Sequence, residues 1–186
     1  MNRRQLWHAI RAACSIADID SVIIVGSQSI LGSFDEEELP RRTTLSLEVD
    51  VLPDIDDTTT LVELSDLIEG VGGELSTFQE THGFALDGVD LTTSILPEGW
   101  RDRLVPVSNE STRDIVTGRQ YTGWCLDPAD LCVAKLCASR EKDREFVSSL
   151  IQAGLVDWQA VKDRLGLIPA EHADIAQAVL REFSQT

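Results

Sequence analysis

A short β-branched run that ends in Gly-Ser constrains the fold most. Residues 21–25 read Ser-Val-Ile-Ile-Val and lead directly into Gly26 and Ser27. The length and composition of the run predict a buried strand, and Ser27 can cap a short helix through about Leu31. A glycine between strand and helix leaves room for a phosphate group, to which the helix N-terminus and the serine hydroxyl offer donors. The pattern alone is common, and the chain has no P-loop sequence.

A second strand is predicted at residues 45–52, where apolar and polar residues alternate. The alternation places Glu48 and Asp50 on one face, with their Cα atoms about 6.5 Å apart. Such a pair can hold a divalent ion, because Mg²⁺ prefers carboxylate, water and phosphate oxygens. The alternative is an edge strand with a solvated acidic face, and the pair by itself favours that alternative.

The rest of the pattern predicts a mixed α/β (α+β) core at residues 1–125. Helices are expected at 2–17 and 58–69, with two strands, 84–86 and 89–95, joined by an Asp87-Gly88 turn. Weaker strand patterns lie at 104–107 and 120–124. After Asp127-Pro128, a good helix start, helices are predicted at 128–139, 141–153, 157–165 and 170–184. We therefore predict a C-terminal helical region, residues 126–186, packed on the core as one compact unit.

Composition narrows the class of protein. The chain has 186 residues, of which 42% are hydrophobic, enough for one domain with a good core. It has neither the long apolar run of a membrane span nor the apolar stretch of a signal peptide, which predicts a soluble, cytoplasmic protein. The four cysteines form no Cys-x-x-Cys pair, so we expect reduced, mostly buried thiols rather than a zinc site.

Charge is distributed unevenly along the chain. The net charge of −16 argues against non-specific nucleic-acid binding through overall charge. Residues 45–100 contain no lysine or arginine, whereas residues 101–144 contain eight. One interpretation is ordinary surface charge. The other is a carboxylate-rich metal site that faces a cationic surface able to hold phosphates.

Taken together, the two strand motifs resemble the signature of the nucleotidyltransferase superfamily. That signature is an apolar residue followed by Gly-Gly or Gly-Ser and, after a spacer, two acids flanking one apolar residue. Here these are Val25-Gly26-Ser27 and Glu48-Val49-Asp50-Val51. The first acid is Glu where Asp is commoner, and the 20-residue spacer is long, with the loop at 33–44 absorbing the excess. The superfamily often adds a third carboxylate from a neighbouring strand. Asp90 is the best candidate, unless it caps a strand end.

A narrower resemblance is to bacterial AbiEii-like nucleotidyltransferases of toxin–antitoxin type. It is carried by residues 26–32, by Leu-Pro-Glu-Gly-Trp-Arg-Asp-Arg-Leu at 96–104, and by Leu-Asp-Pro-Ala-Asp-Leu at 126–131 with the helices that follow. In such toxins a helical lysine and a later aspartate complete the site, and these correspond to Lys135 and Asp143. Lys135 could bind phosphates and offset developing charge, whereas Asp143 could orient Lys135, contact metal or act as a base.

The resemblance implies a nucleotidyltransferase-like fold and a Mg²⁺- or Mn²⁺-dependent transferase that moves a nucleoside monophosphate (NMP) from a nucleoside triphosphate (NTP) such as ATP. The acceptor would be a tRNA 3′ end and the partner a cognate antitoxin, with no membrane involved. The implied catalytic residues are Glu48, Asp50, Lys135 and Asp143. The nucleotide-binding residues are Gly26, Ser27, Lys135 and Arg140, and the metal ligands are Glu48, Asp50 and Asp90. The alternatives are a non-catalytic binding module, whose acidic loop 35–38 could meet a basic partner, and nucleotidylation of a protein or small molecule.

Overall fold

The computed structural model describes residues 1–183, so the last residues of the predicted 170–184 helix and 126–186 region lie outside the description. The helices are α1 (Arg3–Ala17), α2 (Thr58–Gly72), α3 (Thr77–His82), α4 (Pro128–Ala138), α5 (Glu141–Gln152), α6 (Trp158–Leu165) and α7 (Ala173–Phe183). The strands are β1 (Ser21–Ile24), β2 (Glu48–Pro53), β3 (Ala85–Gly88), β4 (Val105–Val107) and β5 (Thr122–Cys125).

Within residues 1–183 the strands form one five-stranded mixed sheet in the order β3-β2-β1-β5-β4. Strand β1 pairs antiparallel with β2 and parallel with β5. The outer pairs are parallel for β2 with β3 and antiparallel for β4 with β5. Together with the flanking helices and the helical region after β5, this sheet confirms the predicted fold class.

Helices α1 and α2 cover one face of the sheet, and two glycines allow their close approach. A Cβ atom at Gly123 would lie 2.3 Å from Cδ1 of Ile10, and one at Gly72 would lie 2.8 Å from Cδ1 of Leu86. Leu86 is in register with Val49, so the apolar side chains of β2 face these helices. The acidic side chains of β2 therefore project from the opposite face.

Strand β2 begins at Glu48, so the prediction of a strand from Leu45 was wrong for the first three residues. The side chains of Leu45 and Leu47 are 64% and 54% exposed. In the sheet, β3 begins opposite Glu48 and β1 pairs only with the end of β2. The alternating sequence pattern therefore begins three residues before the residues that pair with another strand of the sheet.

The Asp87-Gly88 pair is not a hairpin turn, and residues 89–95 form no strand. Both residues belong to β3, which pairs with β2 in parallel. A Cβ atom at Gly88 would lie 1.9 Å from the carbonyl oxygen of Ser65, so this glycine permits close packing of α2. Helix α3, which the sequence analysis missed, carries an N-cap at Ser76 and a left-handed Gly83 after its end.

The C-terminal helices begin and end close to their predicted bounds, with a 3₁₀ turn at Ala170–His172 before α7. A buried ion-pair cluster joins them to the preceding segment. The Asp130 side chain on α4 is fully buried and accepts hydrogen bonds from Arg103 at 2.8 and 3.1 Å. Arg164 on α6 lies 3.2 Å from the same carboxylate.

The cysteines follow the expectation from composition, since all four are free and buried. No helix within residues 1–183 is both long enough and apolar enough to span a membrane.

Candidate active site

A cleft of about 1040 Å³ separates the acidic face of the sheet from α4 and α5. One wall comes from the end of β1 and from β2 and β3, and the other comes from the two helices. The cleft is lined by charged and polar side chains and by one glycine at the end of β1. These residues include Gly26, Ser27, Glu48, Asp50, Asp87, Lys135, Arg140, Lys142 and Asp143. Except for Asp90, every sequence-predicted site residue therefore lies at this one cleft.

Gly26 and Asp50 meet because β1 and β2 are antiparallel. The backbone N–H of Val25 donates to the carbonyl of Asp50 at 3.2 Å. This hydrogen bond places Gly26, the next residue, beside Asp50. A Cβ atom at Gly26 would lie only 1.3 Å from Oδ2 of Asp50. The Asp50 carboxylate therefore rests directly against the glycine backbone. Ser27 follows on the 3₁₀ turn Ser27–Gly32, which stands where a short helix was predicted.

We expect Gly26→Ala to reduce any activity of the cleft about 100-fold or more, because a displacement near 1 Å at reacting groups can cost that much. The Gly26 backbone, with φ −92° and ψ −164°, is open to alanine, so the added methyl displaces mainly the Asp50 carboxylate. Because the new Cβ would also lie 2.9 Å from Cβ of Asp50, the thermal midpoint should fall as well. Gly70→Ala is the matched control, since its Cβ would meet nothing within 4 Å. A fully active Gly26→Ala variant would contradict this placement of Asp50.

Asp87 is the functional candidate that sequence reasoning missed. It is in register with Asp50 on the neighbouring parallel strand, so both carboxylates project from the same face. Burial and, after it, the neighbouring Asp87 raise the pKa of Asp50 to about 6 against the opposing effect of Lys135. The pKa of Asp87 is also raised, by burial first and then by Glu69 and Glu48. Two carboxylates that resist ionising together attract a proton or a cation.

Asp90 does not reach this pair. Its carboxylate accepts hydrogen bonds from the backbone and hydroxyl of Thr92, at 2.7 and 2.6 Å. These bonds lower the pKa of Asp90, the hydroxyl bond most of all. The capping interpretation of Asp90 therefore describes its contacts. The prediction of a strand that contains Asp90 rested on an Asp87-Gly88 turn, and in the structure both of these residues belong to β3.

The carboxylates of the cleft suit a metal ion that arrives with a nucleotide. Within residues 1–183, no group of three or more His, Cys, Asp or Glu side chains is arranged to hold a metal by itself. Asp50 and Asp87 supply adjacent oxygens, and Glu48 is exposed at the rim of the same wall. Mg²⁺ is commonly bound by one or two carboxylates plus substrate phosphates, which is the donor set this wall can complete.

The opposite wall holds a compact cation cluster centred on Asp143. Lys135 Nζ lies 3.1 Å from Oδ1 of Asp143, and Arg140 Nε lies 2.6 Å from Oδ2. The Lys135 and Asp143 side chains are only 11% and 2% exposed. Lys135 Nζ also lies 4.6 Å from the centre of the Phe146 ring.

The contacts of Asp143 indicate what it can do. Burial acts to raise its pKa, but the bonds from Arg140 and Lys135 outweigh burial and lower the pKa. Both carboxylate oxygens are occupied by cations. An ionised, fully bonded carboxylate is a weak base, so this geometry suits the orienting role more than the role of general base.

The fold and the cleft define the class of protein. A glycine-serine turn against an acidic strand, faced by a helical lysine, is the arrangement of a nucleotidyltransferase-type domain. The sequence model of one family, described as "Nucleotidyltransferase of unknown function (DUF6036)", matches residues 4–180. The chain therefore belongs to this nucleotidyltransferase family. No curated protein and no solved structure matched the chain.

Proposed function

We propose that the protein uses Mg²⁺ or Mn²⁺ to transfer an NMP from an NTP to a macromolecular acceptor. The observation that carries the proposal is the Asp50 carboxylate, held against Gly26 beside Asp87 and facing Lys135 across the cleft. In such a reaction an acceptor hydroxyl attacks the α-phosphorus, the acceptor oxygen–phosphorus bond forms, and pyrophosphate leaves with the broken phosphoanhydride bond. The hydroxyl proton passes to a cleft carboxylate or to water.

Each wall has its own part in this reaction. Asp50, Asp87 and Glu48 would hold the divalent ion, which when bound supplies Lewis-acid stabilisation of the phosphate charge. Gly26 leaves room for the Asp50 carboxylate at the end of β1, and Ser27 would offer its hydroxyl to the triphosphate. Lys135 and Arg140, oriented by Asp143, would bind phosphate oxygens and stabilise the charge that develops on them.

The tRNA 3′ end is our preferred acceptor, and a toxin–antitoxin pair our preferred context, because of the AbiEii-like resemblance described above. The cations that line the cleft, which include Lys142 on α5 and Arg42 on the 3₁₀ turn Arg41–Thr44, are compatible with a phosphate-rich acceptor. Arg42 is itself paired with Glu145. A binding module without catalysis is the second candidate, in which the largely exposed acidic loop 35–38 would meet a basic partner.

A transfer assay tests the proposal and separates the acceptors. Each α-labelled nucleoside triphosphate is incubated with the protein and Mg²⁺ in the presence of tRNA, the protein alone, or an aminoglycoside. We expect label on tRNA from one preferred triphosphate. Label only on protein or on the small molecule would replace tRNA as the acceptor. The enzyme proposal fails if no acceptor is labelled with any of the four triphosphates and Mg²⁺ or Mn²⁺.

We expect Lys135→Met to lower the transfer rate about 100-fold or more, which is the usual loss when a preorganised charge-stabilising donor is removed. The methionine keeps the length and apolar contacts of the buried stem, and Asp143 keeps its bond to Arg140. Lys162→Met on α6 is the matched control, since Lys162 is exposed and does not line the cleft. Equal rates for the two variants would contradict the role assigned to Lys135.

A further inference from the structure

A second cavity, of about 410 Å³, lies on the other side of the sheet from the cleft. It is bordered by α1, by the end of α3, and by the 3₁₀ turn Glu110–Thr112. Its lining includes the basic and aromatic residues Arg4, Trp7, His8, Arg11, His82 and Phe84. Because α1 packs on the face opposite Asp50, no residue of this cavity belongs to the proposed catalytic site.

The cavity gathers basic groups in a chain whose net charge is −16. Arg11 donates to the carbonyl of Ser111 and lies 3.2 Å from Nδ1 of His8. Arg4 is exposed at the same cavity. Among the ion pairs found within residues 1–183, none joins a carboxylate to Arg4, Arg11, His8 or His82. A grouping of cations without a carboxylate partner is a site of positive potential.

The groups around His8 come from α1, from α3 and from the adjoining 3₁₀ turn. Burial lowers the pKa of His8, and His82 on α3 and Arg11 on α1 lower it further. The adjoining 3₁₀ turn contributes the Ser111 carbonyl, while its acidic Glu110 is paired with Arg113 at 3.2 Å. A bound anion would reverse the effect of these cations on His8.

Aromatic packing fixes the two imidazoles. The ring centres of His8 and His82 are 4.3 Å apart, and Phe78 lies 4.6 Å from His82. Phe84 is buried, with its ring 5.9 Å from that of His8 in an edge-on arrangement. The cavity is open and mostly polar, and it places fixed donors beside a smaller apolar surface from the aromatic rings.

We propose that this cavity binds the phosphate group of a small phosphate monoester through Arg11, His8 and His82, with Arg4 at its mouth. Guanidinium groups form charge-assisted hydrogen bonds to phosphate oxygens, and an imidazole adds an N–H donor. The aromatic rings offer a surface to an attached organic group such as a nucleoside. The proposal does not depend on the reaction assigned to the cleft.

Inorganic phosphate is the first ligand to test. It is titrated into the full chain, and its binding is monitored through the NMR signals of the His8 and His82 imidazoles. We expect saturable shifts of both imidazoles and a higher pKa of His8 in the bound state. Phosphate that leaves both imidazole signals unchanged at millimolar concentration would overturn the proposal.

Variants separate this site from phosphate binding elsewhere. Arg11→Gln and, independently, the exposed His82→Gln should each weaken the binding seen at His8 about tenfold, as expected for loss of a charge-assisted hydrogen bond. Arg41→Gln removes the same charge from an exposed residue that lines neither cavity, and this variant should bind like the wild type. The proposal is wrong if both cavity variants, each folded by circular dichroism, also bind like the wild type.

The source of the phosphate is resolved by comparing inorganic phosphate with AMP at the same imidazole signals. Affinity for AMP at least tenfold higher supports a nucleoside monophosphate held by the rings, and equal affinity supports free phosphate. Neither measurement uses nucleotidyl transfer, so failure of the catalytic proposal would leave this result unaffected.

Discussion

Asp50→Asn should abolish nucleotidyl transfer, with a loss of about 1,000-fold or more, and should also stabilise the metal-free protein at pH 7. The loss follows from removing the negative oxygen that the cleft needs for a divalent ion beside the triphosphate. The gain in stability follows from the environment of Asp50, where burial and Asp87 raise the pKa to about 6. An uncharged amide of the same size is destabilised neither by burial of a charge nor by repulsion from Asp87.

The raised pKa of Asp50 determines how its contribution to folding stability depends on pH. The folded-state pKa of about 6 exceeds the ordinary value of 3.8, so the folded protein binds the proton more tightly than the unfolded chain. The stabilisation is complete below pH 3.8 and is lost as the pH rises through 6. At pH 7 the asparagine variant should therefore unfold with a free energy about 1–3 kcal/mol higher than the wild type, at about 1.4 kcal/mol per pKa unit.

Chemical denaturation at pH 4 and pH 7 without divalent ions measures this difference, which should be small at pH 4. Asp66→Asn is the matched control, because Asp66 is exposed on α2 and does not line the cleft. Retained transfer activity in Asp50→Asn would show that the site is misplaced. A variant less stable than the wild type at pH 7 would show that Asp50 has a structural role instead.

Asp130→Ala should destabilise the protein by about 3–5 kcal/mol, the usual result of removing one partner from a buried ion pair. The Asp130 carboxylate is fully buried and faces two arginines, Arg103 and Arg164. Their side chains are only 20% and 32% exposed. The variant would leave both partly buried cations without their carboxylate.

The ion pairs of Asp130 also connect α4 to two neighbouring parts of the fold. Asp130 lies on α4, the helix that carries Lys135, and its partners lie in the segment before β4 and on α6. Loss of the cluster should loosen α4 against both. Urea denaturation measures the stability loss, with the exposed Glu63→Ala on α2 as the control. A loss below about 1 kcal/mol, the range of surface pairs, would mean that the cluster does not anchor α4.

The parts of the fold that depend on local signals were predictable from the sequence. The β-branched run at 21–24 and the apolar–acidic alternation around Asp50 are properties of single strands. The C-terminal helices likewise follow from short-range periodicity and from Asp127 as N-cap, whose side chain accepts from the backbone N–H of Ala129 at 2.9 Å. In each case neighbouring residues determine the element, so no knowledge of distant partners was needed.

The position of Asp87 beside Asp50 depends on pairing between distant strands and was therefore missed. Asp87 reaches Asp50 only because β3 adds to β2 in parallel across an intervening pair of helices. An Asp-Gly pair is locally a strong turn signal. Here packing of Gly88 on the backbone of Ser65 overrides it. Sequence spacing contains no information on that contact.

The contact between Lys135 and Asp143 is an intermediate case. Both residues were identified through the family resemblance, but their meeting depends on the connection between α4 and α5. Ser139 ends α4 in a left-handed conformation with φ 58°, and α5 begins two residues later. This sharp turn lets Asp143, in the first turn of α5, reach back to Lys135 in the last turn of α4.

Calorimetric titration of each NTP with Mg²⁺ into the protein tests the central claim most directly. We predict binding of at least one triphosphate with a dissociation constant of about 1 μM to 1 mM, the usual range for enzyme substrates. Lys135→Met should weaken that binding about tenfold or more, while Lys162→Met should leave it unchanged. Absence of binding by all four triphosphates, or binding that Lys135→Met does not alter, would contradict the assignment of this cleft as a nucleotidyltransferase site.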